Sequence, residues 1–259
     1  MSAEPAIRWS AQRVLLHILI GLGAGFLSGM VVLVPALGRR LGYGQRLAAG
    51  TSLAAIVPTA TVGVISYAMA GDVQWVAAVL LAAGAVAGAQ IGTWLLPRVP
   101  VRALQLGFAV FMIVVVVALF LVVPSRGAEF VVDFSTGAVL VLLGLVTGVL
   151  SGLLGVGGGV IVVPALMLRL GASDPVARGT SLLMMIPTAI SGTVGNLRRR
   201  NVNLVGAAII GVSACTTTAL GALLARSIDP LTGNIIFAIF LVAIAIQLVV
   251  RALRRPRQR

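Results

Sequence analysis

The chain has 259 residues, of which 59% are hydrophobic and 10% charged, and its mean hydropathy is +1.13. So few polar groups cannot cover a soluble globule of this size, and the composition describes an integral membrane protein. The formal net charge of +13 would suggest nucleic acid in a soluble chain; here the basic residues, all arginine, sit in short loops and at the ends, where they set membrane orientation, and no nucleic-acid partner is expected.

Apolar runs long enough to cross about 30 Å of hydrocarbon as helix can be drawn at 14–37, 47–70, 73–96, 102–123, 136–168, 177–197, 204–225 and 230–250. None alternates with a period of two, which argues against an outer-membrane barrel. The expected fold is an all-α polytopic membrane protein of about eight hydrophobic segments. It divides into a cytoplasmic segment 1–13, a first transmembrane repeat 14–123, a linker 124–135, a second repeat 136–250 and a basic cytoplasmic tail 251–259.

Arg8 and Arg13 precede the first run as they would in a signal peptide, but the run is too long and lacks a small-x-small cleavage site. Its Gly21, Gly25 and Gly29 place small residues on one helix face and recur as Gly144, Gly148 and Gly152, 123 residues later. The single histidine, His17, reads as an interfacial residue near a membrane entrance. The second run opens on Gly50-Thr51-Ser52 and carries Pro58-Thr59 one to two turns on; the third is bracketed by Trp75 and Trp94, as interfacial anchors are.

The fifth run, 136–168, would be about 50 Å long as one helix and must break. Gly155-Val156-Gly157-Gly158-Gly159, ahead of Pro164, is the natural place. The sixth run repeats the second, with Gly179-Thr180-Ser181 and Pro187-Thr188. The seventh carries Thr216-Thr217-Thr218 beside Cys215, a polar patch that either faces a pathway or bonds its own carbonyls. One cysteine excludes an internal disulfide.

Residues 32–94 read again, without a gap, at 161–223. Pro35-Ala36-Leu37 recurs as Pro164-Ala165-Leu166, Gly50-Thr51-Ser52-Leu53 as Gly179-Thr180-Ser181-Leu182, and Pro58-Thr59-Ala60 as Pro187-Thr188-Ala189, each 129 residues on. The two offsets differ because the second copy holds extra residues within 153–159, where the first passes straight from Ser28-Gly29 into Met30-Val31. Two copies of one hydrophobic unit are the signature of a secondary transporter with its site between the halves.

If all eight runs cross from a cytoplasmic N-terminus, eleven arginines lie inside and eight outside, a poor bias. If the first element of each half enters and returns on one side, fifteen of the 19 lie inside. That arrangement makes the halves inverted repeats and keeps the C-terminus cytoplasmic; residues 14–37 are also short enough to cross once, which would move only Arg8 and Arg13 outside.

The glycine run allows backbone amides to converge, and a helix start behind it adds partial positive charge; together they can hold an anion. Gly155, Gly157, Gly158 and Gly159 are the leading substrate-binding candidates, weighed against tight packing alone. Thr51, Ser52, Thr59, Thr180, Ser181 and Thr188 are candidates for bonding substrate oxygens, weighed against helix capping. Gly50, Gly179, Pro35, Pro58, Pro164 and Pro187 read as structural, the prolines as kinks. No Asp or Glu lies clearly inside a run, so a proton-relay carboxylate has no obvious carrier. No metal site, cofactor or catalytic residue is expected. Ser28 and Ser151 each sit in Gly-x-x-Ser-Gly, but a serine nucleophile would need a base, and His17 is the only histidine.

The stretch from Gly152 through the glycine run to Pro164, then Gly171, Gly179-Thr180-Ser181-Leu182 and Pro187-Thr188, closely resembles the sulfite exporter TauE/SafE family of membrane permeases. The likeness covers both halves, although the glycine-rich loop common in the family's first half is missing at Ser28–Val32. It implies an inner-membrane transporter of sulfite, a sulfonate or a related small sulfur-containing anion. The expectation is therefore anion export through a site at the repeat interface, with a small anion and the lipid bilayer as partners and a homo-oligomer left open. An intramembrane enzyme and a non-transporting assembly factor are the alternatives.

Overall fold

The computed structural model describes residues 11–26, 37, 43–121, 133–227 and 230–254. These form α1 (Ala11–Phe26), α2 (Gln45–Ala68), α3 (Trp75–Leu95), α4 (Val101–Leu121), α5 (Phe134–Leu154), α6 (Gly159–Leu170), α7 (Asp174–Leu197), α8 (Leu204–Ser227) and α9 (Pro230–Arg254), with no strand among the described residues. Pro35, residues 1–10, the Ser28–Val32 stretch, most of the linker 124–135 and the end of the basic tail lie outside them. By length and composition, Arg46–Ala68, Trp75–Leu95 and Phe134–Leu154 can each cross a membrane. The protein is an all-helical, membrane-embedded chain.

The run 136–168 is not one helix. Its first part is α5, entered at Asp133, whose side chain accepts a hydrogen bond from the Thr136 amide at 2.8 Å as an N-cap. It ends at Gly155, which turns left-handed at φ 73°. Gly157 and Gly158 also hold positive φ before α6 begins, so three glycines between 155 and 158 carry the chain through a turn closed to residues with a Cβ.

Helix pairing follows residue size. α3 and α5 pack along a glycine seam: a Cβ on Gly84, Gly88 or Gly92 would strike the carbonyls of Val141, Leu145 or Val149, and one on Gly144 or Gly148 those of Leu81 or Ala85. α1 lies on α8, where Gly21 meets Ile210 and Ser213, and α4 pairs with α9. α2 and α7 cross at the centre, where Leu53, Ile56, Ala60, Met184 and Ala189 are buried together.

α7 is the most polar of the long central helices and also one of the most enclosed. Thr180, Ser181, Thr188 and Asn196 are all buried on it, against α2, α3 and α6. Facing protein instead of lipid, it can afford side chains that a lipid-facing helix cannot. The outward faces of α3, α4 and α5 expose Val79, Val110, Val114, Val117, Leu142 and Val146, an apolar exterior suited to hydrocarbon. Trp75 and Trp94 are half exposed near the two ends of α3. His17 departs from expectation: it is fully buried, its Nε2 3.1 Å from the Tyr43 hydroxyl, because α1 turns that face toward α8 and the start of α2.

Several structural features occur twice, 129 residues apart. α2 and α7 share both boundaries at that spacing, as α3 and α8, and α4 and α9, share their starts. Gly71 at φ 78° is matched by Arg200 at φ 59°, and each closes the same turn: Asp72 N–H bonds to the Tyr67 carbonyl and Asn201 N–H to the Asn196 carbonyl, both at 3.0 Å.

Candidate functional site

The glycine break is enclosed by three helices. From α2, Ala49 closes on Gly155, whose Cβ would stand 2.5 Å from the Ala49 Cα, and the Ser52 hydroxyl donates to the Gly155 carbonyl at 2.7 Å. Ile56 and, from α7, Met185 close on Gly157, and Met185 and Ser181 close on Gly159. From α5, the Thr147 methyl lies where a Cβ on Gly158 would go, with Met184 of α7 beyond it. Residues 151–158 are all buried.

Within this enclosure, the backbone amides from Val156 through Val160 make no hydrogen bond. The first acceptor used is the Gly158 carbonyl, which takes the amides of Ile161 and Val162. Unpaired amides at the start of α6, a 12-residue helix, carry the positive end of its dipole into the enclosure. Non-helical backbone at membrane depth is tolerated only where protein buries it or it lines a polar cavity.

The hydroxyls selected from sequence divide into three groups. Ser52 and Ser181 reach the glycine break, Ser181 while also donating to the Arg178 carbonyl at 3.0 Å. Thr51 and Thr180 do a different job. Thr51 Oγ1 accepts from the Asn203 amide and Thr180 Oγ1 from the Gln74 amide, each at 3.0 Å, so each caps the start of a helix in the other half. Thr59 and Thr188 turn back to their own helices, on the carbonyls of Ala55 and Ile56 and of Met184. Gly50 and Gly179 sit against the carbonyls of Asn201 and Asp72, where a Cβ does not fit. Pro58 packs on Gly211 of α8, Pro187 lies within α7, and Pro164 is buried in α6.

Sequence reasoning missed Thr147 as a neighbour of the break and weighed Ser151 only as a nucleophile. Both are buried on one face of α5, one turn apart, and neither hydroxyl has a hydrogen-bond partner. Among the described residues no base hydrogen-bonds the Ser151 hydroxyl, and His17 is engaged with Tyr43. A signal was present in the spacing, since Thr147 and Ser151 stand two turns and one turn before Gly155. Thr216 and Thr218 bond their own helix, while Thr217 also donates to the Leu22 carbonyl of α1 at 2.9 Å.

Among the described residues, no charged side chain is one of those that close on the break. Arg178, on the same helix as Ser181, is ion-paired with Asp174 at 2.9 Å. The donors that the described residues place at the break are therefore neutral amides and hydroxyls, arranged where charge is costly to bury unless it is well hydrogen-bonded.

A family model described as "Sulfite exporter TauE/SafE" matches residues 2–119 and 140–259. Among curated proteins, "Probable membrane transporter protein YunE" of Bacillus subtilis (strain 168) is 31% identical over 125 residues, covering 46% of each chain. That match spans about half the length of the relative. "Probable membrane transporter protein YdhB" of the same strain is 27% identical over 70% of this chain and 74% of its own. A "Probable membrane transporter protein" of Xylella fastidiosa (strain Temecula1 / ATCC 700964) is 28% identical over 90% of this chain and 92% of its own. No solved structure gives a significant match.

Proposed function

Because the chain belongs to the sulfite exporter TauE/SafE family, we propose that it is an inner-membrane permease that exports a small sulfur-containing oxyanion, sulfite or a sulfonate. The observation that carries this reading is the row of unpaired amides from 156 to 160 at the start of α6, enclosed by α2 from the first half and by α5 and α7 from the second. Such a row is built to receive an anion.

In this reading the halves are inverted repeats of about eight hydrophobic segments, each opening on a re-entrant element, and the substrate binds where they meet. The reciprocal contacts favour a two-fold relation: Gly63 packs on Leu182 as Gly192 packs on Leu53, and the Thr51 and Thr180 caps exchange between halves in the same way. Contacts in which i meets j and j meets i characterise a two-fold axis. The arginine distribution favours a cytoplasmic C-terminus.

Export needs no coupling carboxylate. An interior-negative potential favours anion exit by about 2.3 kcal/mol per charge per 100 mV, a concentration ratio of roughly fifty. The test is flux of sulfite, sulfate, sulfoacetate and chloride from liposomes holding purified protein, under potassium-diffusion potentials of both signs. Selective sulfite or sulfonate efflux, faster when the compartment it leaves is negative, is expected. Absence of flux for every anion under either potential would overturn the reading.

A further inference from the structure

We propose that Thr147 and Ser151 complete the glycine break as a binding site for a singly charged oxyanion, their hydroxyls donating to its oxygens beside the amides of 156–160. This inference rests on the transport reading above.

Thr147 and Ser151 differ from most buried hydroxyls on the other helices. Ser and Thr inside a helix usually bond the carbonyl three or four residues back. Thr59, Thr93, Thr188, Ser213 and Thr218 all do so. Thr147 and Ser151 have the same option and do not take it, and both are almost wholly buried, at 0% and 1% exposure. A buried hydroxyl without a partner is costly and calls for an explanation.

Location supplies one. Thr147 touches Gly158, and Ser151 lies one turn on along the same face, its carbonyl taking the Gly155 amide as the helix ends. Two orphaned donors on α5 thus stand beside a row of orphaned donors at the start of α6. All of them lack the same thing, an acceptor. A tetrahedral or pyramidal oxyanion offers several acceptor oxygens to donors arriving from different directions, and binding it would satisfy both sets at once.

The charge of the ligand follows from the donors. Among the described residues no cationic side chain closes on the break, and the neighbouring Arg178 is paired with Asp174. The Born cost of taking an ion out of water rises with the square of its charge, so a dianion would meet about four times the penalty of a monoanion of like size. Neutral amides and hydroxyls suit the monoanion. A sulfonate, or sulfite carrying one proton, belongs to this class; sulfate does not.

The test compares methanesulfonate, singly charged at any pH the protein survives, with sulfate, doubly charged. Binding to purified protein in detergent is measured by calorimetry, and efflux from liposomes in parallel, for wild type, Thr147→Val, Ser151→Ala and the double variant. Wild type is expected to bind methanesulfonate at least roughly tenfold more tightly than sulfate, and the double variant to lose at least roughly tenfold in methanesulfonate affinity. Melting of the ligand-free double variant should be unchanged or raised, because each substitution removes an unmet polar group, Thr147→Val by putting a methyl in its place and Ser151→Ala by deleting the hydroxyl. Methanesulfonate binding equal to wild type in the double variant would overturn the role of the two hydroxyls while leaving transport standing. Tighter binding of sulfate than of methanesulfonate would overturn the charge assignment. Wild-type protein that neither binds nor moves any oxyanion would bring down the transport reading and this inference with it.

Discussion

The α2–α7 crossing and the glycine break lie side by side, yet they treat polar groups in opposite ways. At the crossing, Thr51 and Thr180 each cap a helix start in the other half, and Thr59 and Thr188 each bond their own backbone. Each arrangement occurs twice, at positions 129 residues apart. At the break, amides 156–160 and the hydroxyls of Thr147 and Ser151 are left without partners. The Thr51 and Thr180 bonds tie the two halves together, and the unpaired groups are the ones that the proposed function assigns to a substrate. Ser52 joins the two regions, since its hydroxyl, at the crossing, holds the Gly155 carbonyl at the edge of the break.

The largest effect that would break this contrast is expected at Gly155. An alanine there meets positive φ and also the backbone of Ala49 at 2.5 Å. Left-handed strain and overpacking against main chain together should cost about 3 kcal/mol. Gly171→Ala meets the same left-handed strain, at φ 66°, with open space around its Cβ, and should cost about 1 kcal/mol. Thermal unfolding of both variants in detergent checks the difference. Equal losses would mean that α2 does not press on the break.

The two caps give the next effect. Thr51→Val leaves the Asn203 amide without its acceptor, and Thr180→Val does the same to Gln74. Each should cost about 1–2 kcal/mol by thermal unfolding, and the two losses should be similar because the two bonds are alike in length and kind. A loss confined to one variant would show that the crossing is less symmetric than its contacts. Ser52→Ala should cost about 1 kcal/mol, with a fall in oxyanion efflux from liposomes beyond what the lost stability accounts for, because it frees the edge of the break.

The crossing was more legible in the sequence than the break. Pro58, Pro187, Gly50 and Gly179 recur in register, and a repeated helix must bury the same face in each copy, so α2 and α7 fall close to the apolar runs at 47–70 and 177–197. The position of the break was legible for a different reason, since a run spanning 136–168 cannot remain one helix. Which hydroxyls reach the break could not be read in the same way. Thr180 and Ser181 are adjacent, yet one caps α3 and the other reaches Gly159, because neighbouring side chains on a helix point about 100° apart. Thr147 was missed because it belongs to no repeated motif; its place beside the break comes from α5 ending two turns later, against the loop that follows. His17 misled for a related reason, its burial being set by packing against α8 and by the Tyr43 hydroxyl.

The two ends of α5 provide the smallest test of the same contrast. Where the loop that follows its exit leaves amides open, its entrance is capped by a side chain: the exposed Asp133 carboxylate is held below the usual carboxylate range by hydrogen bonds from Thr136 and Ser135. A depressed folded-state value means that the cap contributes above the unfolded carboxylate range, near pH 4, and that its contribution fades as pH falls through the lower folded value. Asp133→Asn keeps an N-cap acceptor but cannot titrate. The variant should therefore melt close to wild type at neutral pH and lose less on acidification to below pH 4, by a small margin suited to a surface group. An acid sensitivity equal to that of wild type would mean that the entrance of α5 is held by something other than this carboxylate.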